Sequence, residues 1–480
     1  MIAPWIPKEM ETLDLGDTRR NLRAQKILDG LFQMSESQPE AAKSTAALKA
    51  TYRFANNRLF DLEALLSAHN QATIQRTTEY KRVVVSNDTT DVDLTKPKCQ
   101  IDGAGPLESN DKYGFYFHPL YAITSEGLPL GVADQVIWAR ESIRTGISKA
   151  TKDSLRKQMA FEEKESCRWL MMAQSAEQIA RANPGTEYVL AGDSESDIHE
   201  VLAEVGERPK NFHFVIRSAR DRAIVNGGDA ISIDAILADA KVRYTGEVQV
   251  SERVSKIAGE TRPRRKSRAA RVAQISIRVA SVTIRGPARP GGKLSNVKLN
   301  IVEAIELDPP EGEDPIRWVL ITTLPIVTVD EILEVINCYT CRWHIELYFK
   351  TLKTGLKVED LKYETLERYL KAFALLMVVG WRVEYLKAAA RIDNDASCEK
   401  YFEADEWQPA YLVFHDGGSL PDEPPTITEF MLMIAELGGW QRKKNQGPPG
   451  SMTIWRGIRR MEAYADAFQA FKKAEIRTGV

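Results

Sequence analysis

Two short apolar runs, each followed directly by an aspartate, place the strongest constraint on the fold of this chain. RVVVSN ends before Asp88, and EYVLAG ends before Asp193. Short runs that are apolar almost throughout are typical of strands buried on both faces of a sheet. YGFYFHPLYAIT and LPLGVADQVIWA, which lie between them, predict further strands, and a charged helix is predicted over 153–181 up to the Asn-Pro-Gly turn at 183–185. This order of elements predicts an α/β fold in which helices cover a mixed sheet.

A predicted helix near the middle of the chain carries four polar side chains on one face. Tyr339, Arg342, Glu346 and Lys353 recur at helical spacing in YTCRWHIELYFKTLK. At about 100° per residue, they lie within roughly 60° of one another around an α-helix. A hydroxyl, a guanidinium, a carboxylate and an ammonium would therefore face one ligand that is polar, carries negative charge and needs a metal.

The same helix has a predicted start and a predicted buried side. Thr328 and Glu331 match a capping box, which places the first turn of the helix directly after Thr328. An apolar stripe beside the polar face would pack the helix against the protein core and leave Glu346 accessible on the polar face. The stripe consists of Leu333, Ile336, Trp343 and Leu347.

Three carboxylates could form a metal site. Asp88 and Asp193 stand at strand ends, and Glu346 lies on the polar face of the helix. Each one alone is more typical of a turn, a cap or a surface ion pair. Together they are the hard oxygen ligands that Mg²⁺ or Mn²⁺ prefers, and two such ions about 4 Å apart support phosphoryl transfer. Arg342, Lys353 and Tyr339 would then hold neighbouring phosphates.

Other cofactor sites are not favoured by the sequence. Cys338, Cys341 and His344 resemble a zinc-ligand string, but no second Cys/His pair lies nearby to complete it, so core or boundary packing is the preferred interpretation. No GxxxxGK[ST] phosphate loop is present, so ATP use is not expected. A G-x-S-x-G nucleophile elbow is also absent.

The size and composition of the chain set broader limits. The 480 residues predict two to four domains. Few, irregularly spaced cysteines favour a reducing cytoplasm over a secreted disulfide framework. The first residues show no signal-peptide pattern, and the longest apolar run, at 373–381, is too short to span a membrane. The cysteines are Cys99, Cys167, Cys338, Cys341 and Cys398.

Basic residues cluster in two regions. Residues 261–300 contain eleven Arg and Lys and no Asp or Glu. The densest part of this segment is either a solvated loop or a contact with nucleic-acid phosphates. Contact with phosphates is the preferred interpretation. Residues 1–70 read as helical, with Asp17 as an N-cap. The basic face of these helices fits a DNA-binding domain and fits equally well a helical bundle whose charges are solvated. The candidate DNA contacts are Arg262, Arg264, Arg265, Lys266 and Arg268 in the first region and Arg19, Arg20, Arg23 and Lys26 in the second.

Residues 212–323 read as β-rich, and the chain becomes helical again after about residue 385. FHFVIR, AQISIRVASVTI, VKLNIVEAIEL and RWVLITT predict the strands of an insertion that is partly continuous with the main sheet. A loop-rich middle is predicted at 403–426. Two amphipathic helices are predicted in ITEFMLMIAELGGW and IWRGIRRMEAYADAFQAF.

The spacing Y-x2-R-x3-E-x6-K, formed by Tyr339, Arg342, Glu346 and Lys353, resembles the signature of bacterial DDE cut-and-paste transposases of the insertion-sequence-four family. Further segments resemble parts of this family in the same order, over nearly the whole chain. LGDTRR and ATYRFANN resemble the end-binding domain, NDTT and GDSESDIH the segments of the first two catalytic acids, FVIRS and PIRWVLIT the β-rich insertion, and IAELGGW the region that pairs subunits.

The resemblance implies an RNase H-like mixed-sheet catalytic core with a β-rich insertion, flanked by helical domains at both ends. The expected domains are a helical end-DNA-binding domain at 1–70, a catalytic domain at 71–375 with its insertion at about 212–318, and a helical dimerisation domain at 376–480. Asp88, Asp193 and Glu346 would be the catalytic and metal-binding acids. The implied cofactor is Mg²⁺, with Mn²⁺ as a substitute.

The implied activity is DNA transposition by a homodimer that holds two transposon ends in a synaptic complex. The steps would be nicking, hairpin formation, hairpin opening and strand transfer into target double-stranded DNA, in the bacterial cytoplasm and on the nucleoid when bound. In relatives, a tryptophan at the position of Trp318 helps hold a flipped base, and Arg217 could supply the nearby cation. Core packing is the alternative for Trp318.

Two residues depart from the family pattern. Ser194 stands where the family usually has an arginine after the second aspartate, and His344 stands where a close relative has arginine. One cation near the scissile phosphate would then be missing or supplied from elsewhere. A silent transposition inhibitor that acts by dimerisation, or an RNase H-like nuclease without transposition, remains an alternative, although the intact acids speak against the inhibitor.

Overall fold

The computed structural model describes residues 2–33, 44–95, 101–108, 111–141, 159–203, 208–226, 229–250, 252, 268–289, 292–443 and 447–478. The chain divides into two compact units. Unit 1 combines Met1–Ile147 with Trp343–Val480, and unit 2 is Ser148–Arg342. Of the basic block, Arg262, Arg264, Arg265 and Lys266 lie outside the described residues.

The first part of unit 1 begins with helices and continues with strands, as the sequence predicts. Asp17 accepts a hydrogen bond from the Arg19 backbone N–H at 2.8 Å, as expected of an N-cap. The third helix ends at Ala55, with Asn56 as its C-cap. The helices are α1 (Trp5–Glu9), α2 (Thr18–Gln33), α3 (Thr45–Ala55) and α4 (Leu62–Thr77). The strands are β1 (Arg82–Asn87), β2 (Thr90–Asp93), β3 (Gly105–Pro106), β4 (Tyr113–Thr124) and β5 (Pro129–Trp138).

The predicted helix over 153–181 is described only from residue 159, because residues 153–158 lie outside the described ranges. Within the described part the helix starts at Cys167, and residues 159–166 before it form only a short 3-10 turn, Phe161–Glu163. The helices of unit 2 are α5 (Cys167–Ala182), α6 (His199–Ala203), α7 (Ile233–Asp239) and α8 (Val329–Cys341). The strands are β6 (Glu187–Gly192), β7 (Phe212–Arg217), β8 (Ala223–Asn226), β9 (Asp229–Ser232), β10 (Val242–Val250), β11 (Arg271–Ile284), β12 (Ala288–Arg289), β13 (Gly292–Lys293), β14 (Val297–Glu306) and β15 (Arg317–Thr322).

The second part of unit 1 is helical. The predicted loop-rich stretch at 403–426 is wrong in its first half, because Glu403 and Glu406 form a capping box that starts a helix there. The two predicted amphipathic helices are confirmed. The helices are α9 (Trp343–Lys350), α10 (Leu366–Ile392), α11 (Ala404–Phe414), α12 (Ile427–Leu437) and α13 (Ser451–Thr478).

The strands of unit 1 are organised around β4. It pairs antiparallel with β1 and β2 along one edge and with β5 along the other. Phe115 and Phe117 of β4 meet Phe373 of α10 edge to face, with ring centroids 5.1 and 5.2 Å apart. The run predicted to be too short for a membrane span is therefore part of a helix buried against a sheet.

The main sheet of unit 2 is mixed, as predicted. β6 and β7 are parallel, and β7 is followed across the sheet by β15, β14 and β11, each antiparallel to its neighbour. β8 and β10 both pair with β11, and β9 pairs with β8. The β-rich stretch is thus continuous with the strand that ends before Asp193.

The helix expected to carry all four polar residues is divided. Thr328 caps α8 with the predicted capping box, but α8 ends at Cys341 and α9 begins at Trp343. A π-helical turn, Thr351–Gly355, follows α9 and contains Lys353. Spacing at 100° per residue therefore does not hold through to Lys353, because a π turn takes more residues per turn.

The predicted apolar stripe is wrong. Leu333, Ile336 and Leu347 are half-buried, and Trp343 is 60% exposed. The buried side of α8 consists of Ile332, Val335, Cys338 and Tyr339, which pack toward the sheet of unit 2. The stripe predicts an exposed Tyr339, whereas docking of the helix on the sheet buries it. Cys338 and Cys341 are buried, which agrees with the packing interpretation.

Candidate active site

Asp88 lies where a strand is interrupted. β1 and β2 pair with β4 in one register, with Asn87 opposite Leu120 and Thr90 opposite Phe117. In that register Asp88 falls opposite Pro119, which has no N–H to donate, so the ladder is broken there. The half-buried Asp88 side chain accepts a hydrogen bond from the Thr89 N–H at 2.7 Å. Its position after a buried strand is as predicted, and the proline opposite explains why the strand opens at this residue.

α9 covers the face of the sheet on which Asp88 lies. Ser86 is opposite Tyr121 in the β1–β4 pair, and the Tyr121 ring stacks on Tyr348 of α9 at 4.6 Å. Alternate residues of a strand share a face, so Asp88 follows Ser86 on the side that α9 covers. Glu346 is half-buried and precedes Tyr348 by two residues. Unit 1 therefore brings Asp88 and the helix of Glu346 to one face of its sheet.

Lys353 has a carboxylate partner that the sequence analysis missed. Its Nζ atom lies 2.7 Å from Oδ1 of Asp91 in β2 and 3.9 Å from Oε1 of Glu359. The π turn that carries Lys353 is closed by a hydrogen bond from the Leu356 N–H to the Thr351 carbonyl at 2.8 Å. The only available signal in the sequence was the closeness of Asp91 to Asp88, which by itself indicates no contact with a residue so far along the chain.

The Thr351 side chain is held by a buried glutamate. Its hydroxyl donates to Oε1 of Glu384 in α10 at 2.5 Å, and the Ser451 hydroxyl at the start of α13 donates to the same oxygen at 2.6 Å. Oε2 of Glu384 pairs with Lys387 at 2.7 Å. Sequence reasoning did not identify Glu384, because a single glutamate in a long helix is typical of a surface residue.

His344 is not a replacement for the arginine of relatives. Burial lowers the pKa of His344 to about 4, and the positive charges of Arg391 and Lys387 add to this effect. Its Nε2 atom packs so closely on Gly127 that a Cβ atom there would lie 2.7 Å away. A neutral imidazole packed against a glycine supplies no cation at neutral pH.

In unit 2, Asp193 begins a tight turn at a strand end, as predicted. It directly follows β6, and its Oδ1 atom accepts a hydrogen bond from the Glu195 N–H at 2.8 Å, so Asp193 caps the 3-10 turn Ser194–Ser196. Its Oδ2 atom accepts no hydrogen bond from the residues that the structure describes. Ser194 is the first residue of that turn, and its short hydroxyl cannot supply the positive charge of an arginine.

Arg217 stands beside Asp193. Gly192 and Ile216 are paired in the parallel β6–β7 ladder, so Asp193 and Arg217 come next on neighbouring strands. The carboxyl ends of parallel strands meet at one edge of a sheet, where α/β proteins commonly bind their ligands. Arg217 is half-buried and forms no ion pair with any residue in the described ranges.

Trp318 lies on the same face of the unit 2 sheet as Arg217 and packs against the buried Tyr339. Arg217 is opposite Leu320 in the β7–β15 pair, so Trp318, two residues before Leu320, shares its face as a diagonal neighbour. The Trp318 and Tyr339 rings meet edge to face, with centroids 5.3 Å apart. Trp318 is only half-buried, so it is not a simple core residue. Arg342, which follows α8, is also half-buried.

The candidate DNA contacts of α2 differ in exposure. Arg19 is 91% exposed, and Lys26 is exposed as well. Arg23 is half-buried, and Arg20 donates to the Leu15 carbonyl at 2.5 Å, which gives it a local structural role. In the basic region at 261–300, Arg268 is half-buried, and the next arginine, Arg271, is held by Glu306 and Glu313 at 2.8 and 2.7 Å. Arg271 thus stabilises the edge of the β-rich region.

The predicted acids are divided between the units: Asp88 and Glu346 belong to unit 1, and Asp193 belongs to unit 2. Within the parts of the chain that the structure describes, no three His, Cys, Asp or Glu side chains are grouped closely enough to hold a metal ion. No helix in those same ranges is long and apolar enough to cross a membrane.

Three protein-family models match the chain in sequence order. Residues 2–60 match a transposase DNA-binding model, residues 172–379 match a transposase DDE domain, and residues 378–476 match the Tn5 transposase dimerisation domain. Asp193 and Glu346 lie inside the DDE match, whereas Asp88 precedes it. The DDE match establishes an RNase H-like fold for the catalytic region and a DNA-cleaving activity that depends on divalent metal ions.

One solved structure with a similar chain is the piggyBac transposase synaptic complex with hairpin DNA, determined by cryo-electron microscopy. It is 7% identical in sequence, with 96% of this chain and 81% of that chain covered and a TM-score of 0.34. Since the DNA-binding, DDE and dimerisation regions follow one another in a single polypeptide, this DNA transposase belongs to the Tn5-like DDE family.

Proposed function

We propose that Asp88, Asp193 and Glu346 are the acidic triad of this transposase and that they hold Mg²⁺, for which Mn²⁺ substitutes. The observation that carries this proposal is the equivalent placement of the two aspartates, each directly after a buried strand, with α9 packed on the face of Asp88. The donor set fits the ion, because carboxylate oxygens are the ligands that Mg²⁺ prefers. When bound, the ions would supply Lewis-acid activation of the attacking hydroxyl and stabilisation of the leaving oxygen.

The cationic and aromatic residues would orient the DNA. Arg342 and Lys353 would hold phosphates next to the cleaved bond, and the Tyr339 hydroxyl would donate to one of them. Arg217 and Trp318 share one face of unit 2, which suits an extruded base stacked on the indole with its phosphate near the guanidinium. With Ser194 and a neutral His344 supplying no charge, Arg217 is the cation beside Asp193.

The reaction sequence that we propose is nicking of the transposon end, hairpin formation by the freed 3′-hydroxyl, hairpin opening and joining to target DNA. Residues 1–70 would bind the ends, residues 71–375 would form the catalytic domain with its insertion at about 212–318, and residues 376–480 would pair two subunits in the synaptic complex. The exposed Arg19 and Lys26 are the best-placed DNA contacts of residues 1–70.

The proposal is tested with end duplexes selected from a random-sequence DNA pool by binding to the intact chain. Mg²⁺-dependent nicked, hairpin and joined products are expected from the wild type. Asp88→Asn, Asp193→Asn and Glu346→Gln should each lower cleavage by at least about 10³-fold while retaining end binding. Glu195→Gln is the matched control, because Asp193 uses only the backbone N–H of Glu195.

The reaction products distinguish a transposase from the two alternative functions. Binding without any cleavage would indicate the transposition inhibitor, and cleavage without joined products would indicate the nuclease. Full activity in any one of the three acid variants would remove that residue from the triad. Hairpins are detected as fragments that stay joined on a denaturing gel.

A further inference from the structure

The ammonium of Lys353 is held by an acidic side chain that has no part in the triad. Nζ lies 2.7 Å from Asp91 Oδ1, and the Lys353 side chain is 27% exposed. The second carboxylate nearby, Glu359, is 3.9 Å away, and its Oε1 atom also accepts the Asp93 N–H at 3.1 Å. Glu359 is therefore committed to the backbone of β2, and Asp91 is the direct partner of Lys353.

The position of Asp91 is set by the strand that follows Asp88. Asp91 is paired with Tyr116 in the β2–β4 ladder, so its backbone cannot move independently of the sheet. Among the strands that the structure describes in unit 1, β2 pairs only with β4. The Asp91 carboxylate is 45% exposed, so an approaching DNA phosphate can reach the ion pair.

Lys353 is fixed from its own side as well. The π turn that carries it is closed by the hydrogen bond from Leu356 to Thr351 and is tied to α10 through Thr351 and Glu384. A lysine on a regular exposed turn would sample many rotamers, whereas this one starts from a fixed backbone and ends at a fixed carboxylate. The Lys353–Asp91 ion pair thus joins the π turn that follows Glu346 to β2, the strand that follows Asp88.

We propose that Asp91 is a positioning residue. Its carboxylate holds the Lys353 ammonium in the DNA-free protein and is displaced only by a DNA phosphate that binds beside Asp88. This proposal rests on the proposed role of Lys353 in phosphate binding. A phosphate that approaches Lys353 also approaches the Asp91 carboxylate, and the two negative charges repel. Loosely placed DNA therefore gains little from Lys353. A phosphate that makes all of its other contacts displaces the carboxylate, so Asp91 sets selectivity at the cost of affinity.

The test is the salt dependence of DNA binding in the Asp91→Asn variant. Neutralising Asp91 leaves Lys353 available to any duplex, so a non-specific duplex should bind about 3-fold more tightly. The slope of log K against log salt should steepen by about 0.9, the value of one added phosphate contact. Lys353→Met in the Asp91→Asn background should cancel both changes, and Asp91→Glu should restore wild-type behaviour.

The matched control is Asp93→Asn. Asp93 lies on the same strand and pairs with Lys112 at 2.9 Å, so this variant removes the same charge and frees a different lysine. A steepened slope that persists when Lys353 is removed would overturn the proposal, as would equal slopes for Asp91→Asn and wild type. Asp91→Ser is the second variant if Asp91→Asn does not fold, with thermal melting as the check.

Cleavage kinetics separate positioning from direct catalysis. Asp91→Asn should lower KM for end DNA while kcat changes by less than about 3-fold, because Asp91 gives way before the chemical step. A loss of kcat comparable to that of Glu346→Gln would make Asp91 part of the catalytic machinery and overturn the positioning role. A different result would separate this proposal from the proposed role of Lys353 in cleavage. If Lys353→Met cleaves end DNA normally and still cancels the steeper salt slope of Asp91→Asn, Lys353 has no role in cleavage. The competition between Asp91 and DNA phosphate for Lys353 would nevertheless stand.

Discussion

The phenol rings of Tyr121 in β4 and Tyr348 in α9 are stacked, with centroids 4.6 Å apart and an interplanar angle of 13°. This contact seats the helix of Glu346 on the sheet that carries Asp88. The two hydroxyls differ: that of Tyr348 donates to the Met377 carbonyl at 3.0 Å, and that of Tyr121 is buried with no partner in the part of the chain that the structure describes.

Tyr348→Phe and Tyr121→Phe should therefore have different effects on stability. The first removes a buried hydrogen bond and should lower the free energy of unfolding by about 1 kcal/mol. The second removes a buried polar atom without a partner and should leave stability unchanged or raise it by about 1 kcal/mol. Urea unfolding followed by tyrosine and tryptophan fluorescence measures both. A larger loss for Tyr121→Phe would show that its hydroxyl holds an ordered water.

Glu384→Ala should destabilise the chain more than loss of either hydroxyl that it binds. Thr351→Ala removes one hydrogen bond, at about 1 kcal/mol. Ser451→Ala removes two, because the Ser451 hydroxyl also accepts from Lys387 Nζ at 2.7 Å. Glu384→Ala also leaves the Lys387 ammonium, 17% exposed, without its carboxylate, and about 3 kcal/mol is expected. The Glu384→Ala/Lys387→Met double variant should recover part of this loss. No recovery in urea unfolding would mean that Lys387 finds another partner.

Gly457→Ala should separate α12 from α13 in the dimerisation region. A Cβ atom at Gly457 would lie 1.7 Å from the Ile434 carbonyl oxygen, so the two helices could not keep their present approach. A loss of roughly 2 kcal/mol or more is expected, together with weaker dimers on size-exclusion chromatography in the presence of end DNA. Gly447→Ala is the control, because nothing lies within 4 Å of a Cβ there. Equal behaviour of the two variants would contradict the close packing.

Glu462→Gln should change how stability depends on pH. Burial, followed by the negative charges of Glu406, Asp29 and Asp466, raises the pKa of Glu462 well above 4.5, while Arg382 opposes this. A carboxyl whose pKa is raised in the folded state contributes stability below its unfolded pKa and loses it as pH rises toward the folded pKa.

The Glu462→Gln variant should accordingly be more stable than wild type near neutral pH by at least about 1 kcal/mol, with the difference shrinking toward pH 4.5. Thermal unfolding across this range measures it. Glu367→Gln, at a 63% exposed side chain, should show no such trend. A constant difference for Glu462→Gln would mean that the carboxyl titrates alike in both states.

The sequence predicted the features that depend on neighbouring residues. The two strand–aspartate junctions, the helices of residues 1–70 and the capping box of Thr328 with Glu331 are all present. Each depends on local hydrophobic patterning or on side chains that satisfy nearby backbone N–H groups. The order of motifs also predicted the family that the comparisons identify. The start of α5 and the helix α11 were missed, since helix ends and short helices give weak local signals.

The chain by itself thus determined where its strands end, which residues cap its helices and which family it belongs to. The tertiary structure decided which side of α8 is buried, that Lys353 meets Asp91, that Glu384 holds the π turn and that His344 is neutral. The physical reason is the separation along the chain between the residues that interact. Caps and strand patterns are set within a few residues, whereas ion pairs, burial and their effects on pKa depend on residues brought together from distant parts of the chain.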